Sequence, residues 1–312
     1  MRTIVKFNYV PRIVLFLLVV SIPFLNPIIS SAQGQTPKSI EDLYPGLASG
    51  VLQGAIPAKL PKGALLTAGG LTIKESELTK MISRSEPAVR KQLTNNAFFL
   101  LENMATQQML LQEAKKAGYK KAGEEDKTIT DFLSEKIKVP PVSEEELKNF
   151  HGQNKEMIGN APFEQIRGML KDYLTQQKKQ EAVHQYILTL GQRTPIQISE
   201  EWVKKQSTLA LDNPVDRARR SGKPTMVEFG ATGCVPCDMM APILADLKKK
   251  FPGKLNVLFV HVGQEQILGA RFGIQSIPVQ VFFDKNGREF FRHTGFFPQV
   301  EVEKKLAQMG LL

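Results

Sequence analysis

The sequence predicts an α/β domain in the C-terminal third of the chain and a mainly α-helical domain before it. Beyond about residue 198, short apolar strands alternate with helical segments in the order β-α-β-α-β-β-α, which is typical of a sheet with helices on both faces. Between Lys74 and Gly191, apolar residues recur at the three-, four- and seven-residue spacings of helices. A chain of 312 residues is long enough for both domains.

Turn residues and apolar runs define the elements of the C-terminal domain. Asn213 and Pro214 have the residue types of a helix N-cap and a first helical position. Residues 284–287 (Asp-Lys-Asn-Gly) predict a hairpin turn. We expect strands at 225–229, 255–262, 279–283 and 289–293, and helices at 241–251 and 299–309.

The region before it begins with a predicted hairpin around Gly69 and Gly70. A helical stripe then covers residues 93–114, and a helix at 162–190 is expected to end at Gly191. Ser143 and Glu146 form a capping box that starts another helix. Residues 33–62 show little periodicity. The predicted organisation is therefore a linker at 33–62, a helical domain at 63–198 and the α/β domain at 199–312.

The first 32 residues have the layout of a secretory signal peptide. Arg2, Lys6 and Arg12 precede an apolar run at 13–25, and small residues at 30–32 precede the expected cleavage after Ala32. An uncleaved membrane anchor is the alternative, whereas the lack of a cysteine after the run excludes a lipoprotein anchor. We therefore expect an exported, periplasmic or otherwise extracytoplasmic protein in an oxidising compartment.

The net charge does not indicate a nucleic-acid partner. It is +10 for the full chain, and removal of the three basic residues of the leader, which has no acidic residue, leaves +7. Lys and Arg alternate with Glu and Gln, as on solvated helix faces, and no aromatic residues interleave with a basic patch.

The chain has two cysteines, Cys234 and Cys237, in a Cys-Val-Pro-Cys sequence. A thiol at a helix N-terminus is stabilised as the thiolate, which is the nucleophile of disulfide exchange. A structural disulfide three residues apart would brace almost nothing. Haem attachment needs a histidine where Asp238 stands. A zinc site needs two more ligands from four histidines, so we expect no metal and no cofactor apart from a redox-active disulfide. Those histidines are His151, His184, His261 and His293.

Residues 205–312 resemble a thioredoxin-family domain. The motifs that carry the resemblance are Val-Glu-Phe at 227–229, the Cys-Val-Pro-Cys sequence, Met-Ala-Pro at 240–242, Ile277-Pro278 before a strand, and Gly287 in the last hairpin. The resemblance implies a thioredoxin fold and a thiol–disulfide oxidoreductase.

The resemblance also implies roles for individual residues. Cys234 would be the nucleophile and Cys237 the resolving thiol. Glu228 occupies the position of a buried acid that accepts the resolving thiol's proton, with a pKa raised by burial. Pro278 would follow a cis peptide and, with Ile277, expose backbone groups to an extended substrate. Val235 and Pro236 lie between the cysteines and are also predicted to contact substrate.

Three residues depart from the family pattern. Gly233 replaces a tryptophan, Val235 replaces a glycine, and Phe259 stands where a lysine often lies near the buried acid. An apolar residue at 259 should leave Glu228 more desolvated. These departures leave the redox poise open.

Residues 63–198 resemble the chaperone domain of the SurA, PpiC and PrsA group of exported folding factors. The similar stretches lie at 70–73, 77–78, 109–116, 142–147, 162–164 and 176–180. No parvulin isomerase domain fits between the last two helices. The resemblance implies a cradle for unfolded chains, and a spacer or dimerisation domain is the alternative.

The sequence therefore favours an exported enzyme that reduces or isomerises disulfides of client proteins. By resemblance, its electrons would come from a DsbD- or CcdA-like membrane protein, and apocytochrome c thiols are one possible substrate. Two alternatives stay open: a non-enzymatic holdase or adaptor that uses the thioredoxin domain for docking, and a net disulfide oxidase.

Overall fold

The computed structural model describes residues 37–119, 123–155, 158 and 160–311, so the predicted leader at 1–32 lies outside it. The first part of the described chain carries a four-stranded sheet with helices packed around it. In chain order its elements are α1 (Ile40–Leu43), β1 (Ile56–Ala58), β2 (Ala64–Ala68), β3 (Leu71–Lys74), α2 (Glu75–Arg84), α3 (Pro87–Asn95), α4 (Ala97–Lys116), α5 (Glu125–Lys136), α6 (Glu144–Gln153), α7 (Phe163–Arg193), β4 (Ile196–Ser199) and α8 (Glu200–Ala210).

The predicted hairpin is confirmed as β2 and β3, but the helical domain also contains β1 and β4, which we did not predict. The strand order is β1-β4-β2-β3, with β1 and β4 parallel and the other pairs antiparallel. Each missed strand has only three or four residues, too few for a clear alternating pattern. The stripe at 93–114 is divided between α3 and α4 at Asn96, whose side chain donates to the Gln92 carbonyl oxygen.

The prediction that residues 33–62 form a linker is wrong for the described residues 37–62. Val51, Leu52 and Ala55 are fully buried in the core of the helical domain. The carboxylate of Glu102 on α4 accepts hydrogen bonds from the backbone of Gly50 at 2.8 Å and of Leu52 at 3.1 Å. These bonds satisfy irregular backbone, so the segment packs without the periodicity that a sequence pattern can detect.

Gly191 does not end the third predicted helix. The helix continues as α7 to Arg193, and Gly191 is buried within it. A Cβ atom at this position would stand 2.4 Å from the carbonyl oxygen of Val51. A residue without a side chain is therefore needed at position 191, because the backbones of α7 and Val51 approach each other closely. The capping box at Ser143 and Glu146, which starts α6, is confirmed.

The second part has the predicted order of elements and a second four-stranded sheet. Its elements are α9 (Pro214–Arg219), β5 (Thr225–Gly230), α10 (Val235–Lys250), β6 (Asn256–His261), α11 (Gln266–Arg271), β7 (Val279–Phe283), β8 (Glu289–Thr294) and α12 (Gln299–Gln308). The strand order is β6-β5-β7-β8, with β5 and β6 parallel and the remaining pairs antiparallel.

The alternation of side chains gives this sheet two buried faces. Met226 and Phe282 pack beneath α10 and α12, whereas Val227 and Val281 pack on the opposite side with Val215 of α9 and neighbours on α11. Each face has a helical layer, as predicted for an α/β domain.

The boundary that we predicted at residue 199 lies too early in the chain. Val203 and Ala210 of α8 belong to the core of the first part, and Trp202 stacks on Phe98. The second core begins beyond α8. Among the described residues, no helix combines the length and apolar character needed to span a membrane.

Polar contacts connect the two parts. Gln92 on α3 donates to the Gln264 carbonyl oxygen at 2.7 Å and accepts from the Ile267 backbone at 3.2 Å. The Gln180 amide on α7 donates to the Gln275 side chain at 2.8 Å. This last contact brings the long helix to the loop that precedes Ile277.

Candidate active site

The two cysteines lie at the N-terminus of α10 and are joined as a disulfide. Cys234 is the N-cap residue, and its carbonyl oxygen accepts the first helical bond from Asp238 at 2.9 Å. Cys237 lies one turn into the helix and is 4% exposed. The first-turn N–H groups and the helix dipole favour negative charge at this end. After reduction, the partly exposed Cys234 is therefore the better thiolate, while Cys237 is shielded.

Exposed apolar groups lie next to the partly exposed cysteine. Val235 is 71% exposed, and Pro236 is partly exposed. Gly233, which has a φ of +76°, makes the turn into the helix. The left-handed backbone at this position favours glycine over tryptophan, which gives a local reason for one of the departures that we identified.

The Ile277–Pro278 peptide is cis, as the resemblance implied. Pro278 is buried and Ile277 partly exposed, immediately before β7. Phe229 on β5 pairs with Val279 on β7, and one further step in this antiparallel register places Pro278 beside Gly230. The cis peptide and the loop to Cys234 therefore share one end of the sheet.

Glu228 is fully buried at the centre of β5. Neither carboxylate oxygen has a hydrogen-bond partner among the described residues. Desolvation raises the pKa of Glu228 to about 8. The direction agrees with the prediction made from the sequence, and such a group can exchange a proton near neutral pH.

Known proteins resemble the second part of the chain. A family model described as a thioredoxin-like domain matches residues 211–310. Over 104 residues the chain is 34% identical to a thioredoxin of Alicyclobacillus acidocaldarius. The aligned region covers 33% of this chain and 98% of that protein. Over 85 residues it is 33% identical to a thioredoxin of Haemophilus influenzae, and this alignment covers 27% of this chain and 78% of that protein.

The chain belongs to the thioredoxin family. Its thioredoxin-like domain is a thiol–disulfide oxidoreductase. It is also 33% identical over 98 residues to the thiol:disulfide interchange protein TxlA homolog of Synechocystis, covering 31% of this chain and 54% of that protein. The matched region begins at residue 211, directly after α8; Leu211 still packs in the first core, and the second core begins at Val215.

In this thioredoxin domain, an aromatic ring and the resolving cysteine both lie beside Gly230. Phe259 on the edge strand β6 is the register neighbour of Glu228. A Cβ atom added to Gly230 would stand 2.9 Å from the Phe259 ring and 3.3 Å from the Cys237 sulfur. The ring and the sulfur therefore both lie close to Gly230, and the ring is 47% exposed. An apolar residue beside Glu228 in the sheet agrees with the desolvation that we predicted from Phe259.

A histidine contacts the cysteine loop of the thioredoxin domain, and no sequence pattern indicated it. The Thr232 backbone N–H donates to Nε2 of His261 at 3.3 Å, and the Thr232 hydroxyl lies 3.0 Å from the same nitrogen. Because the two residues are 29 positions apart, spacing could not pair them. His261 holds the loop two residues before Cys234. Within the described residues, no group of three His, Cys, Asp or Glu side chains could bind a metal.

The structure therefore gathers the predicted residues at one end of the second sheet. Cys234, Val235 and Pro236 lie on the helix terminus, Ile277 and Pro278 lie on the neighbouring loop, and Glu228 lies behind them on β5. Sequence reasoning missed Thr232 and also Gln280, which is fully buried next to Glu228. A lone glutamine in an apolar strand was the only sign of the second residue.

Proposed function

We propose that the protein is an exported thiol–disulfide oxidoreductase that reduces or isomerises disulfides in client proteins through Cys234 and Cys237. The observation that carries this proposal is the position of a partly exposed Cys234 at the N-terminus of α10, at the same sheet end as the cis Ile277–Pro278 peptide. A substrate disulfide can approach this sulfur from solvent, whereas Cys237 is shielded.

Reduction follows from these positions in two exchange steps. The Cys234 thiolate attacks one sulfur of a client disulfide, forms a mixed disulfide and releases the other client sulfur as a thiolate. Cys237 then gives its proton to the Glu228 carboxylate and attacks the Cys234 sulfur. The Cys234–Cys237 disulfide forms, the second client thiolate leaves, and the client has gained two electrons.

The exposed groups around the sulfur are suited to an extended polypeptide. Val235, Pro236 and Ile277 offer apolar contact, and backbone groups beside a cis proline can pair with a substrate strand. Contact with backbone and small apolar surface gives little side-chain selectivity, which suits an enzyme with several protein clients.

The leader motif at residues 1–32 supports export, and the Synechocystis relative carries a name for thiol:disulfide interchange. A reductase in an oxidising compartment must be reduced again after each turnover. We propose a DsbD- or CcdA-like membrane protein as its electron donor and include among its substrates the disulfide that oxidised apocytochrome c thiols form.

A chaperone-like role of the helical part is the second candidate. Its support is the contact between Gln180 and Gln275, which holds α7 beside the loop that carries Ile277. A client bound to the thioredoxin domain would therefore also lie near the helical arm. In the extreme case, the arm holds unfolded chains and the thioredoxin domain only docks them.

One set of variants separates the two candidates. In an insulin-reduction assay with dithiothreitol, we expect the wild type to accelerate precipitation and Cys234→Ser to fall to the uncatalysed rate. Circular dichroism of both proteins controls for folding. If Cys234→Ser kept the wild-type rate, the enzymatic proposal would be wrong. If the Cys234→Ser, Cys237→Ser double variant still suppressed aggregation of a denatured client, the helical arm would have a holdase role of its own.

A further inference from the structure

The second sheet contains a buried polar pair that the exchange mechanism does not explain. Glu228 on β5 and Gln280 on β7 are direct register neighbours, and both side chains are fully buried. Neither oxygen of the Glu228 carboxyl nor either polar atom of the Gln280 amide has a partner among the described residues. Buried polar groups are nearly always hydrogen-bonded, so four such atoms on adjacent residues call for an explanation.

The two side chains are within reach of each other. Directly opposed residues of an antiparallel pair have Cβ atoms about 4.5–5.5 Å apart and point to the same face of the sheet. That face lies beneath α10 and α12, because Met226 and Phe282, two residues from Glu228 and Gln280, pack there. A change of side-chain rotamer alone can bring the amide to the carboxyl.

We propose that Gln280 is a positioning residue whose side-chain amide is the hydrogen-bond partner of Glu228 in both protonation states of the carboxyl group. This inference rests on the proposed function, in which Glu228 takes a proton from Cys237 and later releases it. It deepens that function by assigning a residue that keeps the buried acid usable in both states.

The chemistry of an amide matches this task. When Glu228 is ionised, its oxygens only accept, and the Gln280 NH₂ group can donate to them. When Glu228 is protonated, its O–H donates, and the Gln280 carbonyl oxygen can accept. An aliphatic side chain at position 280 could serve neither state. A lysine would favour the carboxylate strongly. A neutral amide stabilises both forms, but the carboxylate more, because hydrogen bonds to a charged group are stronger than those to a neutral one. The proton can therefore still move in either direction, and loss of the amide should disfavour the ionised form.

The other groups on this face leave that role to Gln280. His293 on β8 pairs with Gln280 in the sheet. However, its Nε2 lies 3.1 Å from the Phe296 carbonyl oxygen, and its ring stacks on Phe297. On the other side, Phe259 is apolar. His261 binds Thr232 through Nε2, and its Nδ1 is buried without a partner among the described residues, but it pairs with Gly230 in the sheet, whereas Gln280 is directly opposite Glu228. Cys237 on α10 is the proton donor itself.

The decisive measurement is an NMR titration of the reduced protein labelled with ¹³C at glutamate side chains and ¹⁵N at glutamine side chains. We expect the Gln280 amide nitrogen and the Glu228 carboxyl carbon to shift with the same midpoint. In Gln280→Met, which keeps the length but has no strong hydrogen-bonding group, the Glu228 midpoint should rise by about one unit. Gln275→Met, which alters an exposed glutamine two residues before Ile277, is the matched control and should leave the midpoint unchanged.

A kinetic cycle provides a readout that does not depend on the labelled spectra. The rate at which Cys237 resolves a mixed disulfide at pH 7 should fall by roughly tenfold in Gln280→Met, as expected for a one-unit shift. In the Glu228→Gln background, the same substitution should have no further effect, because coupled residues are not additive. Alkylation of Cys234 should keep its wild-type rate in the Gln275→Met control.

Three results would overturn the proposal: separate midpoints for Gln280 and Glu228 in the wild type, an unchanged Glu228 midpoint in Gln280→Met, or equal slowing in both backgrounds. The wild-type titration needs no variant, so the test survives if Gln280→Met does not fold. Loss of the oxidoreductase function would instead show as an absence of Cys234-dependent insulin reduction, which is measured separately.

Discussion

At the scale of single residues, the site depends on a carboxyl group kept in an apolar environment. Glu228 has Phe259 on one side in the sheet and Gln280 on the other, and its charge is not paired with any cation in the described structure. Burial without a counter-charge penalises the ionised form and raises the pKa to about 8. The same burial that makes Glu228 a proton acceptor must therefore destabilise the fold.

We expect Glu228→Gln to be more stable than the wild type at pH 8. In the wild type, the unfolded chain releases the Glu228 proton near an ordinary glutamate pKa, but the folded chain keeps it until about pH 8. Between these values stability falls as pH rises, by on the order of 5 kcal/mol in total. The measurement is the urea midpoint of the oxidised protein from pH 4.5 to 8.5.

The comparison with the wild type is necessary because His293 acts with the opposite sign. Desolvation lowers the pKa of His293 in the folded protein. The contribution of His293 to stability therefore increases as the pH rises from its pKa in the folded chain to its pKa in the unfolded chain. This contribution is common to both proteins and cancels in the difference. Parallel pH profiles for the wild type and Glu228→Gln would contradict the assignment of a raised pKa to Glu228.

Among the helices and strands, the sequence predicted those whose apolar residues recur periodically or whose ends carry a capping motif. The order of strands and helices around Cys234 followed from apolar runs and turn residues, and α6 followed from Ser143 and Glu146. The folded segment at 37–62 was missed because its backbone is satisfied by Glu102, about fifty residues away. The neighbours of Gln280 and His261 are likewise set by sheet register, which a single sequence does not specify.

The contact between α7 and Val51 gives a test at this scale. We expect Gly191→Ala to destabilise the helical part by about 1–3 kcal/mol, because the new methyl group would stand 2.4 Å from a backbone oxygen and neither partner is a flexible side chain. Gly168→Ala is the matched control on the same helix. It meets no atom within 4 Å and should be neutral or stabilising by up to about 1 kcal/mol.

Unfolding followed by Trp202 fluorescence reports this difference, since the chain has a single tryptophan and it packs in the core that contains Val51. Equal urea midpoints for the two alanine variants would show that α7 and the 37–62 segment do not approach as closely as described.

At the scale of the whole molecule, a buried arginine joins the helical part to the thioredoxin domain. Arg271 on α11 donates to Asp216 on α9 at 2.6 Å, to the Ala210 carbonyl oxygen at 2.9 Å and to the Gly46 carbonyl oxygen at 2.8 Å. Arg271 is 6% exposed and Asp216 2%. The carbonyl groups belong to the first part of the chain and the ion pair to the second, so one guanidinium group bridges the two.

We therefore expect Arg271→Met to destabilise both parts together. The substitution leaves Asp216 with Arg219 and Asn213. It also removes the Arg271 donor from the carbonyl oxygens of Gly46 and Ala210, of which Ala210 still accepts from Asn213. Loss of one partner from a buried ion pair costs roughly 3 kcal/mol or more. The urea midpoint from Trp202 fluorescence should fall, although Arg271 is a residue of the thioredoxin domain.

Arg217→Met is the control for loss of an arginine on the same domain. Arg217 pairs with Asp212 at the surface, where an ion pair contributes less than about 1 kcal/mol, so its Trp202 midpoint should stay close to that of the wild type. Hydrogen exchange of β5 and β7 measures the thioredoxin domain in the same samples. If Arg271→Met accelerated exchange in these strands but left the Trp202 midpoint unchanged, the two parts would be energetically independent. A joint shift would show that the helical arm and the thioredoxin domain are energetically coupled, as the proposed sharing of clients requires.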